Sequence, residues 1–67
     1  MNQRREEQHE VLIELIYTAS RSVKVVAIDP ITGTEVVMIG DKNQSEEVLK
    51  RLAARKLHYV LGKNKKS

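Results

Sequence analysis

Val23-Lys24-Val25-Val26-Ala27-Ile28-Asp29, Pro30-Ile31-Thr32-Gly33 and Thr34-Glu35-Val36-Val37-Met38-Ile39-Gly40 follow one another in the middle of the chain. Two segments rich in β-branched residues flank a connection that holds a proline and a glycine, which is the sequence form of a β-hairpin. Asp29 is suited to start a type I turn, Pro30 presets φ at the next position, and Gly33 accepts the left-handed conformation that closes such loops. The hairpin decides the fold and says little about chemistry.

On its N-terminal side, Val11 to Thr18 reads Val-Leu-Ile-Glu-Leu-Ile-Tyr-Thr and is followed by the polar cluster Ala19-Ser20-Arg21-Ser22. Short length, β-branched content and the flanking polar residues favour a strand, with a helix over Glu6 to Ile16 as the other reading. Three successive strands on short connections make an antiparallel meander. On the C-terminal side, Asp41 to Ser45 is a loop of capping residues, in which Asn43 (with Glu46 three residues later) or Ser45 can serve as N-cap. Glu46 and Glu47 then meet the positive end of a helix dipole. The helix continues to Leu61, Gly62 is placed to be a left-handed C-cap, and Lys63, Lys65 and Lys66 suit the negative end. The expected fold is α+β: a three-stranded antiparallel β-meander packed against one C-terminal α-helix, βββα, as a single domain over residues 11–62. A polar, disordered tail at residues 1–10, with a solvated His9, and a basic, disordered tail at residues 63–67 complete the chain.

Strand alternation sorts the side chains into two faces. Val11, Ile13, Leu15, Tyr17, Val23, Val25, Ala27, Val36 and Met38 form an uncharged set, which should face the helix. The opposite set holds every charge inside the strands (Glu14, Lys24 and Glu35) together with Leu12, Ile16, Val26, Ile28, Val37 and Ile39. Six large aliphatics are more than a solvent face usually carries, so these six form the expected dimer interface. The apolar arc of the helix is also wide, and Lys56 lies inside it, where its ammonium must snorkel or find a carboxylate.

A chain of 67 residues buries only about 60 % of its unfolded surface, so its own core is marginal. Without cysteine, neither disulfides nor thiolate metal sites can reinforce it, and His9 and His58 are too far apart to suggest a ligand pair. Oligomerisation is the remaining support. The polar N-terminus and the short apolar runs predict no signal peptide and no membrane span, and hence a cytoplasmic protein.

No Gly-rich phosphate loop and no recognised nucleophile setting is present, and no cofactor is expected. Glu14 and Glu35 could approach each other across Lys24, and an ion pair with Lys24 is the simpler reading of that trio. The chain is therefore expected not to be an enzyme. Charge is uneven along it: residues 1–41 sum to −3 and residues 42–67 to +6. Lys50, Arg51, Arg55, Lys63, Lys65 and Lys66 make a possible nucleic-acid contact. The βββα order resembles the later part of a double-stranded-RNA-binding domain. That family, however, carries its basic cluster at the helix N-terminus, where Glu46 and Glu47 stand here.

Val23-Lys24-Val25, then Ala27-Ile28-Asp29-Pro30 and Thr32-Gly33-Thr34-Glu35-Val36, with Arg55-Lys56-Leu57 and Tyr59-Val60-Leu61, resemble a family of short, uncharacterised, mostly alphaproteobacterial proteins. The resemblance covers roughly Val11 to Lys63. It implies a domain of unknown function and no catalytic residues. The expectation is thus a small non-catalytic interaction protein acting as a homodimer, with a nucleic-acid-binding module as the alternative.

Overall fold

The structure, a computed structural model, describes residues 10–65, with side chains through Lys63. The N-terminal tail other than Glu10, and Lys66 and Ser67, lie outside the described residues. Three strands, β1 (Leu12–Tyr17), β2 (Ser22–Ile28) and β3 (Glu35–Asp41), are followed by one helix, α1 (Glu46–Lys65). The strands form one antiparallel sheet in the order β1-β2-β3, with β2 in the centre. This is the expected βββα meander.

The β2–β3 connection is built around Asp29. Its amide donates to the Thr34 carbonyl at 2.8 Å, and its carbonyl accepts from the Gly33 amide at 2.8 Å. Its carboxylate accepts from the Ile31 amide at 3.3 Å and the Thr32 hydroxyl at 2.8 Å, which ties the loop to a fully buried side chain. Gly33 adopts φ +80°, the only positive φ among the described residues, as the hairpin reading requires. The register runs from Ile28↔Glu35 to Ser22↔Asp41 without a bulge, so the parity of the two faces carries from strand to strand. In the β1–β2 connection, the Thr18 and Ser20 hydroxyls take backbone amides, at 3.1 Å from Ser20 and 3.2 Å from Ser22.

Ser45 is the N-cap of α1: its hydroxyl accepts from the Val48 amide at 3.2 Å, and Glu46 and Glu47 occupy the first turn. Asn43 instead donates its amide to the Asp41 carboxylate at 2.8 Å, inside the preceding turn. The helix does not stop at Gly62. It passes through that residue without a left-handed φ and continues to Lys65. No proline follows, and Lys63, Asn64 and Lys65 can extend the helix, so glycine here is a tolerated interior residue rather than a C-cap.

The core is one layer. Val23, Val25, Ala27 and Val36 from the sheet pack against Leu49, Ala53 and Leu57 from the helix, and Val11, Ile13, Leu15, Met38, Val60 and Leu61 are half-buried around them. The uncharged face therefore meets the helix. Tyr17 lies at its margin and stays 49 % exposed. Gly40 stands opposite Val23 on this face, and a Cβ there would collide with the buried Leu49 side chain. The missing side chain is what lets the first turn of the helix settle onto the sheet.

The two helix and turn glycines respond to substitution with opposite sign. Neither has an atom within 4 Å of an added Cβ, so backbone conformation decides. Gly33→Val lowers stability by about 1–3 kcal/mol, the cost of a β-branched residue at positive φ. Gly62→Ala raises it by up to about 1 kcal/mol, the usual gain in helix propensity. Denaturant melts of the two variants beside wild type check both signs.

Candidate functional site

Alternation and register place eleven outward side chains on one face, nine of them on a three-by-three grid and Ser22 and Asp41 beyond it at one end. The rows of the grid are Leu12–Ile28–Glu35, Glu14–Val26–Val37 and Ile16–Lys24–Ile39. Within the grid, each strand and each row holds one charge. The six sequence-predicted interface residues are thus brought together on one face. Ile39 is 64 % exposed and Leu12 51 %, with Val37 and Ile16 also exposed and Ile28 half-buried. Val26 is the exception: at 6 % it is already buried, because it sits at the centre of the grid and the surrounding side chains close over it.

The anticipated Lys24 ion pair does not form. Among the described residues, Lys24, Glu14 and Glu35 have no oppositely charged partner within the chain. Glu14 and Glu35 lie on the two edge strands with β2 between them, so they do not make a carboxylate pair either. Lys56 is exposed and takes the snorkelling alternative. It reaches the Val37 carbonyl at 3.0 Å, a backbone oxygen of β3 rather than a carboxylate.

The basic set divides. At about 100° per residue, Arg51, Arg55 and His58 fall within about 60° of one another, on the helix side opposite the buried Leu49 and Ala53. All three are exposed. Lys63 belongs to another flank, near Lys56, and its ammonium lies 5.5 Å from the centroid of the exposed Tyr59 ring. Lys50 lies on the opposite flank, Lys65 is the last helical residue, and Lys66 is outside the described residues. His58, Tyr59, Gly62 and Lys63 line a shallow, open depression on the helix.

Tyr17 is the contact that sequence reasoning missed. Its hydroxyl donates to the Glu46 carboxylate at 3.4 Å, joining the end of β1 to the first helical turn. Partial desolvation, followed by the charge of Glu46 and this hydrogen bond, holds the phenol above its ordinary pKa. Among the described residues, no group of three or more His, Asp or Glu could hold a metal ion. No helix of the described residues is long and apolar enough to cross a membrane.

The family described as "Domain of unknown function (DUF6898)" matches residues 8–65. No curated protein and no solved structure matches the chain.

The Tyr17–Glu46 contact is tested by ultraviolet titration of phenolate in a Tyr59→Phe background, which leaves Tyr17 as the single tyrosine. Its midpoint lies above 10.0 and moves down toward that value on Glu46→Gln. The sign for stability follows: a phenol raised in the folded state favours folding while it stays protonated, and this contribution is lost as pH rises through the raised value.

Proposed function

We propose that this chain, which belongs to the DUF6898 family of unknown function, is a small, non-catalytic, cytoplasmic interaction protein that acts as a homodimer through the outer face of its sheet. The observation that carries the reading is the uncovered aliphatic grid. Its exposed members lie beside one another on three paired strands, and one helix covers only the opposite face.

Magnitudes support the pairing. Val26 is buried already, so five side chains per copy stand to lose water: Leu12, Ile16, Ile28, Val37 and Ile39. Half of a full burial is about 1 kcal/mol each, or about 10 kcal/mol over two copies. Association costs about 4–15 kcal/mol, so at the low end of that cost about 6 kcal/mol remains, which suits a weak dimer with a dissociation constant of about tens of micromolar rather than an obligate one. A two-fold arrangement closes the face on itself and leaves no further sticky surface of the same kind.

The dimer is checked by sedimentation equilibrium at about hundreds of micromolar, above the expected dissociation constant. Wild type sediments at twice 7.7 kDa, and Ile39→Lys, at the most exposed aliphatic of the grid, returns it to the monomer. A single 7.7 kDa species for wild type removes the reading. A dimer indifferent to both Ile39→Lys and Val26→Lys moves the interface off this face.

A second reading is supported by the stripe of Arg51, Arg55 and His58, whose exposed groups have no acidic partner among the described residues. It makes the chain a nucleic-acid-binding module. Binding through phosphates weakens steeply with salt, by a log–log slope that scales with the number of contacts. Retention on duplex nucleic acid at two salt concentrations measures that slope. Weak, non-specific retention keeps the dimer reading first, and loss of tight retention in the double variant Arg51→Glu, Arg55→Glu reverses the order.

A further inference from the structure

We propose that two copies meet outer face to outer face with their strands crossed at about 90°, so that Glu14 of each copy pairs with Lys24 of the other around a two-fold axis that passes over Val26. This rests on the sheet-face dimer above and adds to it an orientation and a source of specificity.

The grid eliminates the other orientations. A two-fold axis lying in the interface and passing over Val26 gives the largest overlap of the two faces, and four directions for it respect the rows and strands. An axis along the strands sets Lys24 against Lys24 of the other copy. An axis across the strands sets Glu14 against Glu14. These are the two aligned packings, and each presses a like-charge pair into the contact, which costs several kcal/mol. The two diagonal axes cross the strands, the orthogonal way in which sheets can pack.

One diagonal lays Glu14, Lys24 and Glu35 on Ile28, Val37 and Ile16 respectively, burying charge against hydrocarbon. The other lays Glu14 on Lys24 twice over, Val26 on Val26, Ile16 on Ile16, Leu12 on Ile39 and Ile28 on Val37. Its only like-charge contact is Glu35 with its own copy, at a corner of the face where water reaches both carboxylates.

The spacing fits. Strands lie about 4.8 Å apart and rows about 6.8 Å apart, so transposing the grid displaces Glu14 from the opposing Lys24 by only about 2 Å, within the reach of both side chains. Glu14 and Lys24, which have no oppositely charged partner among the described residues of one chain, find one in the second copy. The face is self-complementary in charge only when the strands cross.

The test exchanges the charges between copies. Glu14→Lys sets lysine against lysine in its own dimer, and Lys24→Glu sets glutamate against glutamate. Each variant alone dissociates about tenfold or more easily than wild type. Mixed in equal amounts they are complementary to each other and re-form a dimer with one chain of each kind. With one chain isotope-labelled, native mass spectrometry separates mixed pairs from like pairs, and circular dichroism verifies that both exposed-site variants fold. Recovery in the mixture supports the orientation, because charges within one chain cannot produce it. A wild-type dimer with no preference for mixed pairs, or with single variants as tight as wild type, overturns the orientation and leaves the sheet-face dimer standing. A wild type that stays monomeric overturns both.

Discussion

The seating of Leu49, Ala53 and Leu57 on the inner face of β2 and β3 is the contact on which the rest of the molecule depends. A three-stranded sheet with one helix has a single buried layer, and that layer must be dense because nothing else reinforces it. The density is obtained by small residues at the crossing. Ala27 and Ala53 are fully buried, and Gly40 has no side chain where Leu49 lies. The helix therefore sits close to the two strands that hold these residues, and β1 receives less of its cover. Val11, Ile13 and Leu15 remain only half-buried on the side that faces the core.

Much of this was legible in the sequence, and the parts that were not have physical reasons. The hairpin was readable because Asp29, Pro30 and Gly33 each restrict the backbone in a different way, and all three restrictions point to one turn. The helix start was readable because a side-chain oxygen must take the free amides, and Ser45 stands where it can. The helix end was not, since a glycine is equally compatible with a left-handed cap and with an interior position. Which one occurs depends on the residues that follow. The role of Gly40 was hidden because a close approach between elements leaves no mark on local sequence. The six residues of the outer face were identified by alternation alone, but the burial of Val26 arises from its neighbours on both adjoining strands. The absence of the Lys24 ion pair likewise depends on side-chain placement that spacing does not reach.

The two faces of the sheet do different work with similar material. The inner face has no charge and is covered by the helix, least fully at β1. The outer face interrupts or bounds its aliphatics with at least one charge in each strand, Glu14 on β1, Lys24 on β2 and Glu35 and Asp41 on β3, so no strand presents an unbroken apolar row to solvent. Such an arrangement keeps the separate chain hydrated while preserving contiguous hydrocarbon between the charges.

Lys56 bears on how this sheet can grow. The Asp29 amide bonds the Thr34 carbonyl, so even-numbered residues of β3 direct their backbone groups toward β2 and odd-numbered ones direct them outward. The Val37 carbonyl that Lys56 occupies is therefore an acceptor on the open edge of β3. An incoming strand would have to evict an ammonium group to use it, a device by which proteins protect sheet edges. β1 carries no such guard among the described residues. Elongation of a sheet into a fibril needs two receptive edges on every unit. A unit guarded on one side can take a single additional strand on the other, and the series terminates there.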